Sequence, residues 1–156
     1  KNLFIMYQRQ VSFGEAIQRA FSYYCNFRGR ASRSEYWWFC LFNIIVMLPL
    51  NIANTVMAPS QAISAYDPYT GYTSVPEPSL NIFGIIMLIY SLAILLPTLG
   101  LIWRRLHDIG KAGGWYFIGL IPVVGAIVLI VWFCQASEPT ENRFGPVPNL
   151  AVQNNQ

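Results

Sequence analysis

Charge is what this chain has least of. Only 11% of its 156 residues are charged, while 54% are hydrophobic and 15% aromatic. An ordinary soluble domain carries more than twice that charged share, so a conventional solvated surface is excluded. Histidine occurs once and cysteine three times, at the scattered positions Cys25, Cys40 and Cys134. That excludes a multi-ligand zinc site of the usual kind and a disulfide-framed secreted fold, so neither a metal nor another cofactor is expected. Three apolar runs, 37–56, 82–103 and 115–133, contain no Asp, Glu, Lys, Arg or His. Ion-coupled transporters and proton relays need such a group within the bilayer, so that class is demoted. Nucleic-acid binding is set aside too, because the net charge of +3 is spread over short collars and no recognition module is present.

What is there reads as a membrane protein. At ~1.5 Å of rise per residue, about 20 apolar residues cross a hydrocarbon core, and each run reaches that length. A cleavable signal peptide fits poorly, since the first run starts only at Trp37 and is longer than a signal core. The expected fold is all-α and polytopic: an interfacial helix over 12–26, transmembrane helices over 35–56, 82–108 and 114–134, an outer loop over 57–81 and a disordered tail over 149–156.

Basic residues orient it. Lys1, Arg9, Arg19, Arg28, Arg30 and Arg33 precede the first run, and Arg104, Arg105 and Lys111 lie between the second and third. Only Arg143 follows the third, and the connection 57–81 carries Asp67 and Glu77 with no basic residue. The positive-inside rule then puts the N-terminus and the second connection in the cytoplasm, with the first connection and the C-terminal tail outside. The less favoured alternative breaks the third run at Pro122 into re-entrant half-helices and returns the tail to the cytoplasm. On the favoured topology Cys40 and Cys134 lie at opposite ends of their spans, so a disulfide between them is forbidden by distance, and Cys25 is expected to be reduced.

Outside the spans, Ser12 and Glu15 have the spacing of a capping box, and Phe13, Ile17, Ala20, Phe21 and Tyr24 share one helical face. That face lies in the cytoplasmic interface, or packs on the protein's own helices or on another subunit. The connection carries Pro59, Pro68, Pro76 and Pro78, which exclude a long helix, and Tyr66, Tyr69 and Tyr72, placed as interfacial anchors.

Three segments look like motifs: Phe27-Arg28-Gly29-Arg30-Ala31-Ser32-Arg33-Ser34-Glu35-Tyr36-Trp37, then Arg104-Arg105-Leu106-His107-Asp108-Ile109-Gly110-Lys111, and Trp132-Phe133-Cys134-Gln135 followed by Asn142-Arg143-Phe144-Gly145-Pro146. Together they resemble the small bacterial inner-membrane family catalogued as domain of unknown function 805. The resemblance spans about 27–148 and implies an integral protein of the bacterial cytoplasmic membrane. It brings no reaction and no catalytic residue.

Read physically, Ser34 caps the first spanning helix, Glu35 sits in its first turn, and Gly29 lets the chain turn ahead of it. Arg28, Arg30, Arg33, Arg104, Arg105 and Lys111 face anionic headgroups or an acidic partner segment, first as a positive-inside anchor and more sharply as a specific anion site. Gly110 is a C-cap for the second helix, where Arg104 and Asp108 are spaced to pair. Glu35, His107 and Asp108 are placed in an ion-pair network joining the first two motifs. Asn43, Asn51 and Asn54 fall within one arc of the first helix, where cross-helix hydrogen bonding is the usual role. The function expected is a non-enzymatic structural, assembly or regulatory module that self-associates or joins another membrane protein. The alternatives are a small oligomeric channel lined by the three asparagines, and a lipid-headgroup enzyme using His107 and Asp108.

Overall fold

A computed structural model describes residues 4–57, 68–69, 71 and 81–154. Its elements are β1 (Phe4–Gln8), α1 (Phe13–Ser22), α2 (Arg33–Met57), α3 (Ile82–Asp108), a 3-10 helix (Gly113–Leu120), α4 (Val124–Cys134) and β2 (Leu150–Asn154). Two compact units are formed, one from Lys1–Asn43 with Ile94–Gln156, the other from Ile44–Ala93. Most of the expected outer loop, with Tyr66, Tyr72, Pro59, Pro76 and Pro78, lies outside the described residues, as does Lys1; Pro68 and Tyr69 form a turn.

The second unit holds the middle of the α2–α3 hairpin. Helix assignment continues through Pro49 in α2 and Pro97 in α3, so neither proline ends its helix. Apolar side chains in this unit are bare: Ile44, Leu48, Ile52 and Val56 on α2 and Leu88, Ile89 and Leu92 on α3 are all more than half exposed. At the closed end of the hairpin the Asn81 amide donates to the Asn54 carbonyl at 3.3 Å. Both helices are long and apolar enough to cross a membrane.

The first unit is a packed assembly. α1 starts where Ser12 accepts from the Glu15 N–H, and it ends at Ser22, with Tyr23 as its cap. Ala16 and Ala20 are buried, and the Phe13 and Phe21 rings meet Trp38, Phe39 and Phe42 edge-on, so the helix packs on the start of α2. Ala20, Phe39 and Leu101 form one core cluster, and Ile102, Leu106, Leu129 and Phe133 form another. Each large apolar side chain so buried contributes roughly 1.5–3 kcal/mol.

Several expectations are corrected here. The third run is not one helix. It breaks at Pro122, which cannot donate a backbone hydrogen bond, and at Val123, whose φ of 63° is a strained conformation for a β-branched residue. The 3-10 helix and α4 fold back as a hairpin, with the Trp115 and Trp132 rings 6.0 Å apart. Its tightness depends on Gly125, where a Cβ would sit 1.9 Å from the Ile118 carbonyl oxygen.

Within the segment expected to be a disordered tail, Leu150–Asn154 form β2, which pairs antiparallel with β1, Phe4 opposite Asn154 through Gln8 opposite Leu150. The described residues are therefore helical with one two-stranded ribbon that joins the segments Phe4–Gln8 and Leu150–Asn154. Cys134 lies near the start of α2. Its carbonyl accepts from Arg33 at 3.4 Å, at the same end of α2 as Cys40, which removes the distance argument against a disulfide; both thiols, and Cys25, are free. The helix cap also shifts, since Ser32 accepts from the Glu35 N–H at 3.3 Å while Ser34 accepts from the Val11 N–H at 3.0 Å.

Candidate functional site

The C-terminal turns of α3 concentrate the chain's polar chemistry inside the protein. Arg104, Arg105, His107 and Asp108 are all buried, alongside Arg30 from the loop before α2 and Glu35 from its first turn. Asp108 takes Arg30 Nε at 3.1 Å on one oxygen and Arg105 Nη1 at 2.6 Å on the other, and all three side chains are fully buried. The Ser137 hydroxyl donates to the same carboxylate. Glu35 receives Arg104 Nη1 at 2.9 Å and faces Arg19 at 3.8 Å. Arg104 and Asp108, four residues apart, do not pair. Glu35 takes Arg104, while Asp108 is shared by Arg30 and by its helix neighbour Arg105, a division that spacing along one helix does not reveal.

Arg105 and Arg30 also donate to carbonyls of the C-terminal segment. Arg105 donates to Phe133 O at 3.2 Å and Gln135 O at 2.5 Å, capping the negative end of α4. Arg30 donates to Glu138 O and Thr140 O, both at 2.7 Å. Arg105 thus pins the chain after α4 onto α3, and Arg30 pins it onto the loop before α2. Arg30 and Arg105 are thus each matched by a carboxylate and by several dipoles, the condition under which a buried ion pair is tolerated.

His107 and Asp108 do not form a dyad. The imidazole Nδ1 lies 3.1 Å from Gly29 O, and its ring stacks on Phe144 at 3.9 Å with the planes 4° apart. α3 itself ends in a Schellman turn: Gly110, at φ 72°, donates to His107 O while Lys111 donates to Leu106 O.

The six basic residues read as one headgroup collar divide in two. Arg30, Arg104 and Arg105 are buried, each paired with a carboxylate inside the first unit. Arg28 and Arg33 are exposed, and Lys111 is half-buried with Nζ 4.5 Å from the centre of the Trp132 ring. Among the asparagines, Asn43 Nδ2 donates to Phe39 O at 2.8 Å, Asn54 O accepts from Asn81, and Asn51 O accepts from Thr55.

Two cavities open on the first unit. One, of about 720 Å³, runs from Arg9 and Arg33 to Trp37, Trp38 and Leu41, polar at one end and apolar at the other. The second, of about 470 Å³, is lined by Arg19, Arg28, Arg30, Arg104 and Glu35, with the 146–149 segment forming one wall. Neither is lined by Asn43, Asn51 or Asn54.

Sequence reasoning missed Arg19, Ser137, Asn142 and Asn149. Arg19 joins Glu15 at 2.7 Å and contacts Glu35 and Asn149. Partial desolvation would raise the Glu15 carboxyl, but the Arg19 and Arg9 charges outweigh it and hold the group below its ordinary value. Asn142 donates to His107 O at 2.9 Å. The Asn142–Pro146 motif was the available signal for that contact.

Two helices of membrane-spanning length, with a unit stitched by buried arginine–carboxylate pairs, define the class: a small helical protein with apolar spans. The chain belongs to the family described as protein of unknown function (DUF805), whose match covers residues 24–146. It is 37% identical to inner membrane protein YhaH of Escherichia coli (strain K12) over 127 residues, 81% of this chain and 90% of that protein. It is 34% identical to inner membrane protein YhaI of the same strain, over 81% of this chain and 89% of that protein. No solved structure matches the chain.

Proposed function

We propose that this chain is a multi-pass protein of the bacterial inner membrane, acting as a non-enzymatic assembly or regulatory module. One observation carries the non-catalytic reading: the side chains best equipped for chemistry are turned inward and hold segments of the chain together. Asp108, Arg30 and Arg105 fix the tail, Glu35 and Arg104 join α2 to α3, and His107 rests between Gly29 and Phe144.

The membrane placement is supported by the bare apolar hairpin and by the printed names of the relatives. α2 and α3 are the spans. The hairpin of the third run returns rather than crosses, so both chain ends share the cytoplasmic side with the basic collar. Arg28 and Arg33, with Trp37 and Trp38 beside them, meet the anionic headgroup layer.

Two spans enclose little private interior, so the exposed hairpin faces favour a second copy or another membrane protein as well as lipid. Native mass spectrometry of the protein extracted directly into lipid nanodiscs tests the assembly role. A stoichiometric second polypeptide or a closed oligomer is the expected result, and a lone monomer at every protein-to-lipid ratio contradicts it.

A further inference from the structure

The arginine-lined cavity has an unfinished side chain in its wall. Arg104 is 3% exposed, and only its Nη1 has a partner, Glu35. Its Nε and Nη2 are buried with no hydrogen-bond acceptor, and among the described residues no other buried side-chain nitrogen or oxygen is in that state. The Tyr23 ring, itself 45% exposed, covers the guanidinium at 5.0 Å, a contact that leaves both N–H directions without an oxygen. Buried donors are nearly always satisfied, and an orphaned pair points to an absent acceptor.

The cavity selects what that acceptor is. Arg19, Arg28, Arg30 and Arg104 line it against one carboxylate, Glu35, so a cation is repelled and a neutral group leaves the charge uncompensated. Arg30 is saturated by Asp108 and by carbonyls, and Arg19 is shared with Glu15, but Arg28 is exposed at the same wall. Guanidinium forks arriving from separate segments suit a tetrahedral oxyanion. At about 470 Å³ the space exceeds a bare phosphate ion and admits a phosphate carrying a substituent.

We propose that this cavity binds a phosphate group, held by the Nε and Nη2 edge of Arg104 and by Arg28, and delivered either by a phospholipid headgroup or by a soluble phosphate compound. The inference goes beyond the assembly reading and stands or falls separately from it.

The test uses the full chain in phosphatidylcholine nanodiscs. Inorganic phosphate is titrated and followed by 31P NMR; in a parallel arm, phosphatidylglycerol is added to the discs and co-retained lipid is counted by native mass spectrometry. Arg104→Lys keeps a cation for Glu35 but deletes the two orphaned donors, and Arg28→Gln alters an exposed side chain. Saturable phosphate binding, weakened at least about tenfold in both variants, supports the site with a soluble source. One retained phosphatidylglycerol per chain, lost in both variants, supports it with a lipid source. Binding of neither probe overturns the proposal, and so does binding that either folded variant leaves undiminished. If Arg104→Lys fails to fold, Arg28→Gln alone decides by the same criterion.

Discussion

Replacing Asp108 by asparagine takes one negative charge from between two guanidiniums that have no solvent exposure, with Arg30 Nε at 3.1 Å and Arg105 Nη1 at 2.6 Å. The volume is unchanged, so no cavity contributes. What remains is a buried pair of like charges facing an amide. Breaking a buried ion pair from one side costs about 3–5 kcal/mol. The low end applies here, because Arg30 keeps Glu138 O and Thr140 O and Arg105 keeps Phe133 O and Gln135 O. At about 2–4 °C per kcal/mol for a chain of this size, ~3 kcal/mol lowers Tm by about 6–12 °C. Near-UV circular dichroism of the tryptophans during heating in nanodiscs measures it. A melting point within about 2 °C of the wild type would refute the claim that this triad holds the first unit together.

Other outcomes follow from the same geometry. Gly125→Ala forces a methyl against the Ile118 carbonyl, so the hairpin of the third run opens and Cys134 changes its rate of maleimide labelling; an unchanged rate counts against the close approach. Because the folded Glu15 carboxyl is held below its ordinary value of 4.5, its contribution is present above that value and lost as pH falls through the folded one. Melting curves of Glu15→Gln and wild type should therefore differ at neutral pH and converge as the pH falls through the folded carboxyl's lowered value, and a gap that persists in stronger acid removes the Arg9 and Arg19 pairing as its source. Asn43→Leu with Asn51→Leu should leave ion leakage from reconstituted liposomes unchanged; a wild-type flux abolished by the substitutions would revive the channel reading.

The two long helices could be read from the sequence because an uncharged run of bilayer length has few alternatives, and the family could be read because its motifs combine residue types with order. The third run shows where such reading stops. Length and hydropathy do not distinguish a continuous helix from two short ones, and the break depends on Val123 adopting a positive φ beside Pro122 while Gly125 lets the backbones touch. The orientation expected for the tail depends on that run crossing as one helix, since the positive-inside rule counts crossings, and the pairing of Leu150–Asn154 with Phe4–Gln8 is the long-range contact that counting does not supply. Charge pairing failed for a related reason. Spacing along α3 offers Arg104 to Asp108, whereas the fold supplies Arg30 and Glu35 from elsewhere, and burial decides which pairs form. Ser34 lost the helix cap to Ser32 because Val11 arrives to use its hydroxyl, a contact 23 positions away.

The proposed topology has two spans with both chain ends on the cytoplasmic side, and sided cysteine labelling tests it directly. In a background without Cys25, Cys40 and Cys134, single cysteines at Gln10, Tyr69 and Glu141 are exposed to a membrane-impermeant maleimide in intact cells and in inverted vesicles. Labelling of the Gln10 and Glu141 sites only in inverted vesicles, and of the Tyr69 site only in intact cells, is the predicted result. Labelling of the Glu141 site in intact cells would put the tail outside and contradict the account.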